Sequence, residues 1–344
     1  TVADPVPGAG EVLSRTLACG ICGSDLHILH HADHVIALAN SAGGHTWMDP
    51  SADVVFGHEF CTEIVDVGPD TEQRFKVGTQ VCAVPFVLGP GGPEIVGYSN
   101  RYPGGFGEQM VLAQDLCFEV PNGLPAEQAA LTEPFAVGEH AVARSCLGPD
   151  TIPMVIGCGP VGISVIAALK HRGIGPIIAT DYSAIRRKMA EQYGADEVID
   201  PAQHSPHAGW ADLGVPATAN DLILATLTGN TPKRAIIFEC VGVPGLLNQI
   251  ITDAPPGTEV VVVGVCTQTD TLEPFIASDK EIDLKFVFGY TPEEYGETLH
   301  RLGEGIIDGR PIITGTVGLE GVADAFETLY GAEDHVKIIV KPTQ

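Results

Sequence analysis

Positive charge is scarce in this chain. Its 344 residues carry 18 lysines and arginines against 44 aspartates and glutamates, a formal net charge of −26. That balance argues against nucleic acid and anionic membrane surfaces as partners, because holding phosphates takes clustered Lys and Arg. Long apolar runs are missing too. No stretch is long enough to span a bilayer, and no charged-then-apolar leader opens the chain, so no membrane partner and a cytoplasmic location are expected. The opening TVADPVPGAGEVL reads as a chain entered part-way. Cysteine pairing is the third absence. The nine cysteines are odd in number and scattered, with Cys82 and Cys240 inside apolar runs, so a disulfide framework is not expected. Internal repeats and low-complexity tracts are also lacking.

What is present is a core-forming composition, 44% hydrophobic with 41 glycines, and a length that suggests two domains. The first third holds short β-like runs separated by Gly and Pro turns: EVLSRTLA, CTEIVDVG, TQVCAVPFV, EQMVLA and CFEVP. An antiparallel or mixed β domain is expected there. From Thr151 the character changes. TIPMVIGCGPVG is an apolar strand entering a glycine turn, and helix-like and strand-like runs then alternate through RAIIFECVG, TEVVVVGV and LKFVFG. Buried apolar strands alternating with helices read as a doubly wound parallel sheet, hence an α/β fold. The tail, ending HVKIIVKP, returns to strand-like character and is expected to pack back on the first domain.

GCGPVG places Gly157, Gly159 and Gly162 in G-x-G-x-x-G spacing, after a predicted strand and opening a predicted helix with Pro160 and Val161. In that context the motif binds a dinucleotide: one glycine for the tight turn, one for approach of the pyrophosphate, one for helix–strand packing. Asp181, about twenty residues on, stands where an acid accepts hydrogen bonds from the adenosine ribose. A carboxylate there repels a 2′-phosphate, so NAD is favoured over NADP, although Arg186 and Arg187 lie close by. The plain alternative is a glycine turn with no nucleotide. Val241 and Val265, at the ends of later strands, are expected beside the cofactor, with VVGVCTQ near the nicotinamide.

The densest chemistry lies in Cys19–His34, CGICGSDLHILHHADH, with two cysteines, two aspartates and four histidines. A CxxC can be a structural zinc half-site, a redox dithiol, or an accident beside one functional cysteine. A catalytic zinc needs about three protein ligands and an open position. VVFGHEF offers His58 and Glu59, and LTEPFAVGEHA offers Glu133 among apolar residues. The histidines His27, His30, His31 and His34 would share a face on a helix. They read as a solvated face, with a second metal site as the sharper alternative.

GEVLSRTLACGICGSDLH, GHEF, LTEPFAVGEHAV, VIGCGPVG and ATD occur in the order found in the zinc-dependent medium-chain alcohol and polyol dehydrogenases, and the chain resembles that family over nearly its whole length. The resemblance implies a GroES-like catalytic domain at about 1–134 and 290–344, with a Rossmann domain at 135–289 between them. It implies reversible hydride transfer between an alcohol, secondary or aromatic, and NAD. The zinc ligands it implies are Cys22 (the cysteine directly before the G-S-D segment), His58 and Glu133, with Glu59 as ligand or neighbour. By position Ser24 contacts the substrate oxygen, His27 ends the proton relay, and Asp25 bonds the ligand histidine. Relatives often carry four closely spaced cysteines for a second, structural zinc. The matching stretch PFVLGPGGPEIVGYSNRYPGGFGEQMV has none, so one zinc per chain is expected. The segment from Ile28 to Phe56 is longer than the family's usual connection, and Trp47 and Met48 there are candidates to line a pocket. Relatives form homodimers or homotetramers. Rival readings are a sorbitol-like polyol dehydrogenase, a zinc-free enone or quinone reductase, and a non-catalytic NAD-binding member. Turnover of any alcohol separates the last two from the rest.

Overall fold

The computed structural model describes residues 2–43, 47–331 and 335–343. The chain forms two compact units, Thr1–Pro134 with Thr291–Gln344, and Phe135–Tyr290.

Seven strands come first: β1 (Glu11–Gly20), β2 (Glu59–Val67), β3 (Gln80–Ala83), β4 (Phe86–Gly89), β5 (Gly92–Ile95), β6 (Gln109–Ala113) and β7 (Cys117–Glu119). One helix, α1 (Gly23–Ser41), interrupts them. In β1, Val12, Ser14, Thr16 and Ala18 are all buried, the period-2 pattern of a strand with one face in a core. β1 pairs antiparallel with both β2 and β6, and β3 joins β2 to β7. Val12, Phe60, Ile64, Val81, Met110 and Leu112 fill the core against this sheet. The run TQVCAVPFV is two strands rather than one, because Pro85 cannot donate to a ladder, and the second half turns into the separate β4–β5 hairpin.

The second unit alternates β8 (Thr151–Ile156), β9 (Ile178–Thr180), β10 (Glu197–Ile199), β11 (Arg234–Glu239), β12 (Glu259–Val262) and β13 (Asp283–Phe286) with helices. The strands lie in the order β10-β9-β8-β11-β12-β13, and every pairing is parallel. β8 and β12 are buried along their whole length, as strands covered on both faces must be. The less regular residues 202–229 are nevertheless anchored. Trp210 is 2% exposed and packs with Ile152, Met154 and Ile237.

The last two strands, β14 (Ile313–Val317) and β15 (Lys337–Val340), return to the first unit. β15 pairs antiparallel with the end of β1 and parallel with β14. This crossing brings the tail beside residues near the start of the chain.

Candidate active site

β1 ends at Gly20, and α1 begins three residues later at Gly23, with Cys22 at its N-cap. Asp25 folds back: its Oδ2 accepts the Cys22 N–H at 3.0 Å. The side chains of Cys22, Ser24 and Asp25 are thereby grouped within the first turn of one helix. His58 and Glu59 enter from the start of β2, which pairs with the same end of β1 through Gly20↔Glu59. One donor atom each from Cys22, His58 and Glu59 lie within 4.8 Å of one another, the one such group of three among the described residues.

Burial governs the electrostatics of this group. Asp25 and Glu59 have no exposed surface and His58 has 7%. His58 Nδ1 stands 3.4 Å from Asp25 Oδ1, charge-pair range without hydrogen-bond geometry, and has no hydrogen-bond partner. Burial works against a proton on His58, but the Asp25 and Cys22 charges outweigh it and hold its pKa well above the ordinary 6.5. Desolvation and the Glu59 charge push the Cys22 thiol up, with His58 opposing. Lys337, from β15, donates to Glu59 Oε1 at 2.7 Å, to Oε2 at 2.6 Å and to the Ile21 carbonyl at 2.9 Å. A thiol, an imidazole and a carboxylate converge here, and the neighbouring acids outnumber the buried lysine. That donor set, drawn from three side chains that converge within 4.8 Å, fits a zinc ion, which would take the cysteine as thiolate.

Glu133 opens α3 (Thr132–Arg144, following the short α2 at Ala126–Ala129) and is 8% exposed. It stands outside the mutual 4.8 Å group, although its charge reaches Lys337. His27 lies one turn beyond Ser24 on α1. Partial burial and the neighbouring His31 and His30 lower its pKa below 6.5. Cys19 is fully buried, donates weakly to the Gly20 carbonyl at 3.6 Å, and has its pKa raised well above the ordinary value by burial. The histidine run does form a helix, but His31 has non-helical angles (φ −136°, ψ 27°), so the four rings do not share one regular face.

Tyr98 is a site neighbour that no sequence motif marks. Its hydroxyl donates to Asp25 Oδ1 at 2.7 Å and lies 2.9 Å from Ser24 Oγ. Trp47 stacks on its ring, with centroids 5.5 Å apart. Lys337 was equally unmarked, although a lysine between Val336 and Ile338 in an apolar strand is itself a signal of a buried partner.

In the second unit, β8 leads into α4 (Pro160–His171) through the glycine turn. Gly157 has φ +91°, which only glycine adopts without strain. A Cβ on Gly159 would meet nothing within 4 Å, which leaves the α4 N-terminus open. A Cβ on Gly162 would lie 1.8 Å from the Gly157 carbonyl oxygen. Asp181, directly after β9, accepts the Cys158 N–H on Oδ2 and the Ser183 N–H on Oδ1, both at 2.8 Å. Ser183 then caps α5 (Ala184–Tyr193). Arg187 is engaged by Asp200 at 3.1 Å and by the Asp181 carbonyl at 2.8 Å. Val241 and Val265 follow β11 and β12 and are 40% and 49% exposed. Strand order reverses between β8 and β11, so the glycine turn and Val241 flank the crevice where doubly wound sheets take nucleotides.

Family models match residues in both parts of the chain. The family description "Alcohol dehydrogenase GroES-like domain" matches residues 8–122, and "Zinc-binding dehydrogenase" matches residues 160–304. Sorbitol dehydrogenase of Bacillus subtilis (strain 168) is 32% identical over 358 residues, covering 99% of this chain and 93% of that protein. (R,R)-butanediol dehydrogenase of the same organism is 30% identical, covering 99% and 95%. The crystal structure of 2R,3R-butanediol dehydrogenase from Bacillus subtilis superposes with a TM-score of 0.76 at 29% identity, covering 99% of this chain and 95% of that one. The fold and site thus define an α/β oxidoreductase with a GroES-like and a Rossmann-like domain. The chain belongs to the zinc-dependent medium-chain dehydrogenase family, and is an alcohol or polyol dehydrogenase of the zinc type.

Proposed function

We propose that the protein oxidises a secondary alcohol carrying a neighbouring hydroxyl, a vicinal diol or polyol, with NAD⁺ as acceptor and one zinc per chain. The observation that carries this is the Cys22–His58–Glu59 group, with His58 and Glu59 buried, joined by Ser24 from the same first turn of α1 as Cys22. Sorbitol and (R,R)-butanediol, named in the two relatives, both present such a group. NAD rather than NADP is supported by the Asp181 carboxylate after β9 and by Arg187 being engaged elsewhere.

Cys22 and His58 would hold the zinc through Sγ and Nε2, since Nδ1 faces Asp25. Glu59, bound on both oxygens by Lys337, would be the third donor or yield to Glu133. When bound, zinc supplies Lewis acidity at the substrate hydroxyl and NAD the hydride acceptor. Ser24 accepts a hydrogen bond from the substrate hydroxyl at Oγ, and His27, whose pKa is lowered by partial burial and the neighbouring histidines, stands to carry the released proton to solvent. The glycine turn and the α4 N-terminus bind the pyrophosphate.

The test is NADH formation by zinc-loaded protein on 2,3-butanediol, sorbitol, 2-butanol, ethanol and benzyl alcohol, with NAD⁺ and NADP⁺ in parallel. The expected result is kcat/KM at least about tenfold higher for a vicinal diol or polyol than for ethanol, with NAD⁺ preferred. Preference for primary alcohols overturns the substrate class, and preference for NADP⁺ overturns the role given to Asp181.

A further inference from the structure

We propose that Tyr98 is a positioning residue that makes Ser24 a hydrogen-bond acceptor toward the substrate hydroxyl, an inference that rests on the dehydrogenase reading above. A phenol has one proton. That of Tyr98 goes to the buried Asp25 Oδ1 at 2.7 Å, because a carboxylate can only accept. The contact between Tyr98 and Ser24 Oγ at 2.9 Å must then be donated by Ser24. Ser24 has no second proton, so it offers only lone pairs to any other group. An alcohol O–H beside it becomes the donor, the arrangement that proton removal requires. The same tyrosine supports the histidine that would bind metal, since Asp25 Oδ1 also faces His58 Nδ1 at 3.4 Å.

The ring itself is held by packing. Trp47 stacks at 5.5 Å with planes 12° apart, Phe56 meets it edge-on at 5.8 Å, and His58 lies 5.0 Å away. Ile28, Met48 and Ile95 complete the apolar surround. Tyr98→Phe therefore removes one oxygen and leaves the ring where it is. The long segment after α1 acquires a use in this reading, because Trp47 and Phe56 from it press the phenol against Ser24.

The experiment is a double-mutant cycle with zinc-loaded, full-length protein, using the best alcohol of the panel above. Zinc content and NADH affinity are measured on every variant. Tyr98→Phe is expected to keep one zinc and wild-type NADH affinity, and to lower kcat/KM about tenfold or more. Ser24→Ala is expected to lose at least as much, and adding Tyr98→Phe to Ser24→Ala to change kcat/KM by less than about twofold. An undiminished effect of Tyr98→Phe in the Ser24→Ala background means that the phenol does not act through Ser24, and the proposal fails. It also fails if Tyr98→Phe stays within about twofold of wild type, or if its loss of rate is accounted for by lost zinc. Wild-type protein that turns over no alcohol defeats the dehydrogenase reading, and the role of Tyr98 with it; that outcome is distinct from an active enzyme indifferent to Tyr98.

Discussion

Cys19 and Cys22 are three positions apart and chemically unalike. Cys19 lies in β1 with no exposed surface, and its neighbours press on it closely: a Cβ on Gly105 would sit 2.5 Å from its sulfur. Cys22 caps α1 and faces His58 and Glu59. Cys22→Ser is therefore expected to abolish zinc binding. Cys19→Ser should keep about one zinc per chain and lose about 1–2 kcal/mol of stability, since a hydroxyl replaces a buried thiol. Metal analysis of the two variants decides this. The reverse pattern would show that the wrong cysteine has been chosen, and about two zincs in wild type would point to a second site. Local order in the sequence made Cys22, His58, Asp25 and the three motif glycines legible, because short spacing and family resemblance both bear on them. Tyr98 and Lys337 were not legible in this way. Each acts through a partner 73 or 278 residues away, and no local pattern encodes such a pairing.

Among the elements, the Rossmann strands were the easiest to read and α1 the hardest. A strand covered on both faces shows as an unbroken apolar run, as in TIPMVI. α1 buries only Asp25 and Ile28, so its sequence lacks the apolar stripe that marks a helix, and its kink at His31 breaks the periodicity further. The β8–α4 turn shows how strictly one element junction can constrain a residue. At Gly162 an added methyl would overlap the Gly157 carbonyl at 1.8 Å, and backbone cannot rotate aside as a flexible side chain can. Gly162→Ala is expected to push α4 off β8, destabilise the second unit by about 1–3 kcal/mol and weaken NAD binding tenfold or more. Gly159→Ala should be milder in the free protein, because nothing lies within 4 Å of its Cβ. Denaturant melts and NADH fluorescence titrations on both variants measure the contrast. Equal free-protein stabilities would mean that close helix–strand packing does not depend on Gly162.

At the scale of the whole chain, the tail completes a site begun at the front. β15 pairs with the end of β1, and this register places Lys337, 1% exposed, against both oxygens of Glu59. Burial alone would lower the lysine pKa, but the Glu59 and Cys22 charges more than offset it and raise it above its ordinary value, which keeps Lys337 charged. Removing one partner of a buried pair leaves a charge without compensation, which costs about 3–5 kcal/mol, whereas replacing both with groups of similar shape can be nearly neutral. Lys337→Met is accordingly expected to destabilise the first unit by that amount in zinc-free protein. Adding Glu59→Gln should recover most of the loss, because no buried charge then remains unpaired. Zinc should narrow the deficit of the single variant, since the ion supplies the positive charge that Glu59 has lost. Urea unfolding of the single and double variants, with and without zinc, measures all three. If the double variant is as unstable as Lys337→Met alone, then Lys337 contributes mainly through its bond to the Ile21 carbonyl and its packing, and its charge is incidental to holding the tail in place.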